Sequence, residues 1–210
     1  MKHDNNDMST INEQPNSSIT NNEIMKKPIK TRLTLRMISV FLLLGNAAPL
    51  YALSPIHLLN YVDSYGNVSL RNSGDIQLPD PLVITGNLNL ERSKISQLPR
   101  SLTVNGNLNL AYTEVEYLPL LFNVDGFVNL AHSKIKELNY GMRVKGDLSL
   151  MGTEIQKLPD NLYVKGDLYL NNSKITELPN QIIVDGNIYI RGTKITNIPD
   201  NAKIKGHIIN

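Results

Sequence analysis

The sequence predicts a mainly β fold: a parallel β-solenoid of about seven twenty-residue rungs, opened by a short N-terminal capping helix. Three observations predict it. Glycine recurs at Gly66, Gly86, Gly106, Gly126, Gly146, Gly166, Gly186 and Gly206, an unbroken spacing of twenty. Apolar residues keep register with that glycine, as in the stretch from Leu158 to Glu177, which reads LPDNLYVKGDLYLNNSKITE. Within each unit they also alternate at period two, as in Leu168 with Leu170, the pattern of a strand with one buried face. A fixed period of this length marks units that bury an apolar face only against their neighbours.

The elements follow in chain order. Residues 1–24 are rich in Asn, Ser and Thr with almost no large apolar side chains, and read as a disordered polar tail that cannot offset its chain entropy by burial. Residues 25–53 join the basic Lys26, Lys27, Lys30, Arg32 and Arg36 to the uncharged segment 37–56, whose densest part is MISVFLLL. Basic followed by apolar is an export or membrane signal. The apolar core is shorter than the roughly 20 residues of a spanning helix, and Gly45, Asn46 and Pro49 interrupt it. A secretory signal peptide therefore fits best, starting at Met25 or preceded by the tail from Met1, with cleavage near Ala52. The alternatives are an uncleaved anchor, for which the 37–56 segment is the chain's membrane contact, and a buried helix of the amino-terminal region. Residues 54–65 read as the capping helix, with Ser54 at the N-cap, Pro55 in the first turn, and Leu58, Leu59 and Val62 on one face.

The solenoid fills residues 66–210, and its slots have distinct tasks. The corner slot holds Leu78, Leu98, Leu118, Leu138, Leu158, Leu178 and Ile198, each followed by Pro except where Asn139 intervenes. After the glycine come inward strand pairs such as Leu108 with Leu110 and Ile188 with Ile190. Before it, pairs such as Leu102 with Val104 and Leu162 with Val164 imply a second extended arm, with the glycine making the turn between the arms. Ser73, Ser93, Thr113, Ser133, Thr153, Ser173 and Thr193 share a bend slot, where their hydroxyls are expected to bond the backbone of neighbouring turns. Lys94, Glu114, Lys134, Glu154, Lys174 and Lys194 stack in a slot that mostly alternates in sign, as expected of exposed cross-rung ion pairs contributing below about 1 kcal/mol each.

With its corner Leu-Pro, its L-x-L strand and an Ile two residues after the polar bend position, as in Leu168, Leu170, Ser173 and Ile175, the unit resembles the leucine-rich repeats of bacterial type III secretion effectors of the YopM and IpaH kind. The match runs from about Leu58 to Asn210. Two features depart from that family: Ser or Thr replaces the bend Asn, and the V-x-G element of Val164 and Gly166 makes each rung closer to a β-solenoid. The resemblance implies an adaptor that binds host proteins through its repeats, and type III delivery as another export route. The ubiquitin ligase domain of IpaH-like members works through a cysteine, and this chain has no Cys, so ligase activity does not carry over.

Composition narrows the remaining classes. The formal net charge is +2, and the excess sits before residue 53, which argues against nucleic acid as a partner. The absence of Cys excludes disulfides, thiolate metal sites and cysteine nucleophiles. His57, His132 and His207 lack ligand spacing, no G-x-S-x-G turn occurs, and Asp147 with Asp167 lack the Gly- and Asp-rich repeat of calcium-binding solenoids. The reading is non-enzymatic, with no catalytic residue, no metal and no cofactor, and with a protein as partner. The solvent slot of the L-x-L strand reads Ser69, Asn89, Asn109, Asn129, Ser149, Tyr169 and Tyr189. Tyr169, Tyr189 and Arg191 are the residue types enriched at binding hot spots and form the first candidate patch. Phe127, which breaks an Asn/Asp slot, joins Tyr112 and His132 as a second. The alternative is a surface or periplasmic structural protein that self-associates through the edge formed by Gly206 to Asn210.

Overall fold

The computed structural model describes residues 55–210. The polar tail and the signal peptide or anchor lie outside the described residues. The large sheet has eight parallel strands: Val68–Ser69, Leu88–Asn89, Leu108–Asn109, Val128–Asn129, Leu148–Ser149, Leu168–Tyr169, Ile188–Tyr189 and Ile208–Ile209. Each residue pairs with the one twenty positions on, as Leu168 with Ile188. This is a solenoid of about seven turns, as the period requires. Leu88, Leu108, Val128, Leu148, Leu168 and Ile188 point inward and are almost wholly buried, and Ile95, Val115, Ile135, Ile155 and Ile175 close the core from the bend side.

The second arm is discontinuous. Leu82–Ile84, Ser101–Val104 and Leu121–Val124 form a three-stranded sheet, while Arg143–Val144, Tyr163–Val164, Ile183–Val184 and Lys203–Ile204 form a four-stranded one. No strand pairing joins Leu121–Val124 to Arg143–Val144 among the described residues. The corner sequence explains the change. Arg100 and Leu120 bend directly into strands that begin at Ser101 and Leu121, whereas Tyr140-Gly141, Asp160-Asn161 and Asp200-Asn201 make turns, as their Gly and Asn favour. Gly141 and Asn161 carry φ of 66° and 59° there.

Three expectations need correction. The helical cap is shorter than 54–65: an α-helical turn at Pro55–Leu58 and a 3-10 turn at Leu59–Tyr61 end it. Val62 then forms an antiparallel bridge with Val68, because the Asp63 carboxylate accepts the Tyr65 and Asn67 N–H groups and folds the chain back. Leu58 is buried on the first rung as expected, but Leu59 is 47% exposed.

The glycine column serves close approach rather than turn geometry. Only Gly66 of the eight has positive φ. At Gly106 a β-carbon would lie 2.7 Å from the carbonyl oxygen of Gly86 and 2.8 Å from its carbon. With no β-carbon, Gly106 N–H bonds directly to Gly86 C=O at 3.0 Å.

The bend hydroxyls bond their own rung rather than the next. Thr113, Ser133 and Thr153 each donate at 2.7 Å to the carbonyl three residues earlier. A left-handed residue stands just before each of them, Tyr112, His132 or Gly152, and curls the bend back onto the strand end, as Arg92 and Asn172 do before Ser93 and Ser173. Ser93 and Ser173 are buried with no hydrogen-bond partner for their hydroxyls.

Candidate binding surfaces

The outer face of the large sheet is built on side-chain capping in its first half. In the central slot, Asn89, Asn109 and Asn129 accept the N–H groups of Glu91, Ala111 and Ala131, each at 3.0 Å, fixing the entry to the bend. Two positions earlier an Asn/Asp ladder runs between rungs. Asn67 accepts from Asn87 N–H and Asn87 from Asn107 N–H, both at 2.7 Å, and Asp147 and Asp167 continue it to Asn187. These polar slots are structural, and the acidic pair Asp147 and Asp167 is spent on backbone N–H groups.

Tyr169 and Tyr189 take over the central slot where the Asn caps stop. Their rings stack with centroids 4.7 Å apart and planes 7° from parallel, imposed by the register that pairs them. The Tyr169 hydroxyl donates to Asp167 at 3.3 Å. Burial raises its pKa above the ordinary tyrosine value, and the carboxylates of Asp167 and Asp147 push the same way. Arg191 follows two residues after Tyr189, in the turn just past the strand end; it is exposed, with no ion pair among the described residues. Ile209, the register partner of Tyr189, extends the strip and is 39% exposed.

The second expected patch divides. Tyr112 and His132 stack at 4.7 Å and 12°, with the Arg92 guanidinium 5.1 Å from the Tyr112 ring centre. Arg92, Tyr112 and His132 all hold φ near 57°, where a non-glycine residue costs about 1 kcal/mol or more. Their stacking offsets part of that. Phe127 stands at the other end of the Val128–Asn129 strand, beside the glycine corner. Its N–H bonds Asn107, but its own ring offers no acceptor, so the ladder lapses at that rung.

Two features escaped the sequence reading. Leu120 and Leu121 are 92% and 68% exposed, with Tyr117 and Tyr140 exposed nearby, at the break in the second arm. Their signal was apolar residues in a corner slot that is polar in Arg100, Asp160, Asn180 and Asp200. On the bend side an open groove of about 680 Å³ is lined by His132, Gly152, Lys134, Lys136, Glu154 and Lys157, among others. The backbone bonds from Lys134 N–H to Thr113 C=O and from Lys174 N–H to Thr153 C=O have no counterpart there between Glu154 and Ser133.

Ion pairs bridge adjacent rungs, with Lys134 on Glu114, Lys136 on Glu116 at 2.6 Å and Arg71 on Glu91 at 3.0 Å. Among the described residues no three His, Asp or Glu side chains converge as a metal site. No family model, curated protein or solved structure matches the chain.

Proposed function

We propose that the chain is a non-enzymatic protein-binding repeat module, an exported bacterial adaptor or virulence effector that engages a host protein through the face around Tyr169, Tyr189 and Arg191. One observation carries the site. The slot that Asn89, Asn109 and Asn129 use to hold the bend is given over to two stacked tyrosines, although the bends after them form without such a cap. Side chains that the fold does not need for capping, of the types that dominate binding energy, are therefore presented on a rigid sheet. The repeat resemblance supports the adaptor reading, and the basic-apolar leader of residues 25–53 supports export.

The test restores the repeat's own polar pattern. Tyr169→Asn, Tyr189→Asn and Arg191→Ala together place Asn where neighbouring rungs already carry it, so the fold should persist by circular dichroism. A partner captured from host-cell lysate and identified by crosslinking should be lost with this variant. Equal crosslinking by the variant removes the site. Sequencing the amino terminus of protein recovered from culture medium tests export separately, with cleavage near Ala52 expected and an intact leader as the contrary result.

A further inference from the structure

The outer face of the four-stranded sheet carries charge that the fold leaves unbalanced. Its eight outward positions are Arg143, Tyr163, Ile183 and Lys203 in one column and Lys145, Lys165, Asp185 and Lys205 in the next. Five are cationic and one is anionic. The corresponding positions of the three-stranded sheet are Val83, Thr103, Asn123, Thr85, Asn105 and Asp125, so the stripe begins at the break in the second arm. Lys145 is paired with Asp125. Both oxygens of Asp185 are taken, one by Lys205 and the other by the Tyr163 hydroxyl, each at 2.8 Å.

That leaves Arg143, Lys165 and Lys203 exposed and without an ion pair among the described residues. Lys165 stands between Lys145 and Asp185 in the register, with a like charge on one side and, on the other, a carboxylate whose two oxygens are already taken. The Arg143 guanidinium is held 4.3 Å from the centre of the Tyr163 ring. The acids that border the face, Asp160 and Asp200, sit in the turns that precede its strands.

We propose that this face is a second interaction surface, distinct from the Tyr169 patch, and that it docks an extended acidic segment of a partner protein with the pattern acid-x-apolar-x-acid. Along the rod the first column reads cation, aromatic, aliphatic, cation. Rungs about 4.8 Å apart put Arg143 and Lys203 about 14 Å apart, and residues i, i+2 and i+4 of an extended chain span about 13 Å on one side. The two acids meet Arg143 and Lys203, and the apolar residue lies over Tyr163 and Ile183. The half-buried Tyr163 and Ile183 at the centre favour a peptide over a sulfated sugar or a lipid headgroup, neither of which carries an apolar side chain between its charges.

A dye-labelled peptide containing Glu-Ser-Leu-Ser-Glu, titrated with the full chain in fluorescence anisotropy, tests it. Arg143→Gln, Lys165→Gln and Lys203→Gln together should weaken binding about tenfold or more. A control with Lys94→Gln, Lys174→Gln and Lys194→Gln removes equal charge from the bend side and should change it less than about twofold. Replacing the peptide's Leu by Ser should weaken it as well. No binding by the parent chain, or equal losses in both variants, overturns the proposal. So does tighter binding of heparin or of phosphatidylserine vesicles through the same three residues, since that assigns the face to a sugar or a membrane.

Discussion

Three glycines of the solenoid should respond to alanine in three different ways. At Gly166 a β-carbon would sit 2.8 Å from the Gly146 carbonyl carbon and 2.8 Å from Asp147 N. Ordinary contact begins at 3.4 Å, so the rungs must separate locally by about 0.6 Å. Two bonds cross that gap: Gly166 N–H to Gly146 C=O at 3.0 Å and Asp167 N–H to Asp147 Oδ1 at 2.8 Å. Losing both costs about 1 kcal/mol each, and forcing a methyl into a packed contact adds about 1–3 kcal/mol. Gly166→Ala should therefore destabilise by about 3–5 kcal/mol, lowering the melting temperature by about 10 °C or more.

Gly141 has open space around it but φ of 66°, so Gly141→Ala should cost only the left-handed strain of about 1–2 kcal/mol. Gly74 has neither restraint, and Gly74→Ala should be neutral or stabilising by about 0.4–1 kcal/mol through the unfolded chain. Thermal melts followed by circular dichroism, with urea midpoints as a second readout, rank the three. A Gly166→Ala protein melting within about 2 °C of its parent, or a Gly74→Ala protein as unstable as Gly166→Ala, would refute the close-approach account of the glycine column.

Three further outcomes follow from the same geometry. Ser133→Ala removes a bonded hydroxyl and should cost about 1 kcal/mol, whereas Ser173→Ala removes a buried hydroxyl with no partner and should cost less; identical urea midpoints would contradict that bonding difference. The Asp185 carboxyl is held below its ordinary value of 3.8 by Lys205 and then by the Tyr163 hydroxyl. A depressed folded-state pKa means that its stabilisation is present above the unfolded value and lost as pH falls through the folded one. Melting temperature should thus decline below about pH 4, and by less in Asp185→Asn; an unchanged decline excludes the contribution. A double-mutant cycle on Lys134 and Glu114 should give a coupling below about 1 kcal/mol that salt reduces, and a larger, salt-independent value would mean that the pair is not solvated.

Period and alternation were enough to place the strands and the core, because a twenty-residue repeat stacks only one way that keeps Leu168 above Leu148 and below Ile188. They said less about why each polar residue recurs. Asn89 and Asn87 are both solvent-side asparagines in sequence, yet one caps its own bend and the other bonds the next rung, a distinction set by backbone direction. The glycine register was visible, but its reason lies in an inter-rung distance that no single sequence records. The same limit explains the two sheets of the second arm. Leu120-Leu121 and Asp160-Asn161 occupy equivalent slots, and the turn-favouring Asn tells them apart, but the break in strand pairing that results is a property of the backbone. Tyr169 and Tyr189 are legible as a pair because they share a slot column, with Arg191 two residues further on, whereas Phe127 lies at the glycine end of its strand and Tyr112 and His132 at the bend end.

The Asn/Asp ladder has a direction. In every link the acceptor belongs to the earlier rung and the donor N–H to the later one: Asn67 to Asn87, Asn87 to Asn107, Asp147 to Asp167, Asn187 to His207. Each rung is thus finished before the one that leans on it is made, so a chain emerging amino end first meets a complete template at each step. The exception is Phe127, where the Asp147 rung docks through the strand ladder and its core contacts without a side-chain acceptor from the rung before it, and growth through that step is where the Asn/Asp ladder gives no guidance.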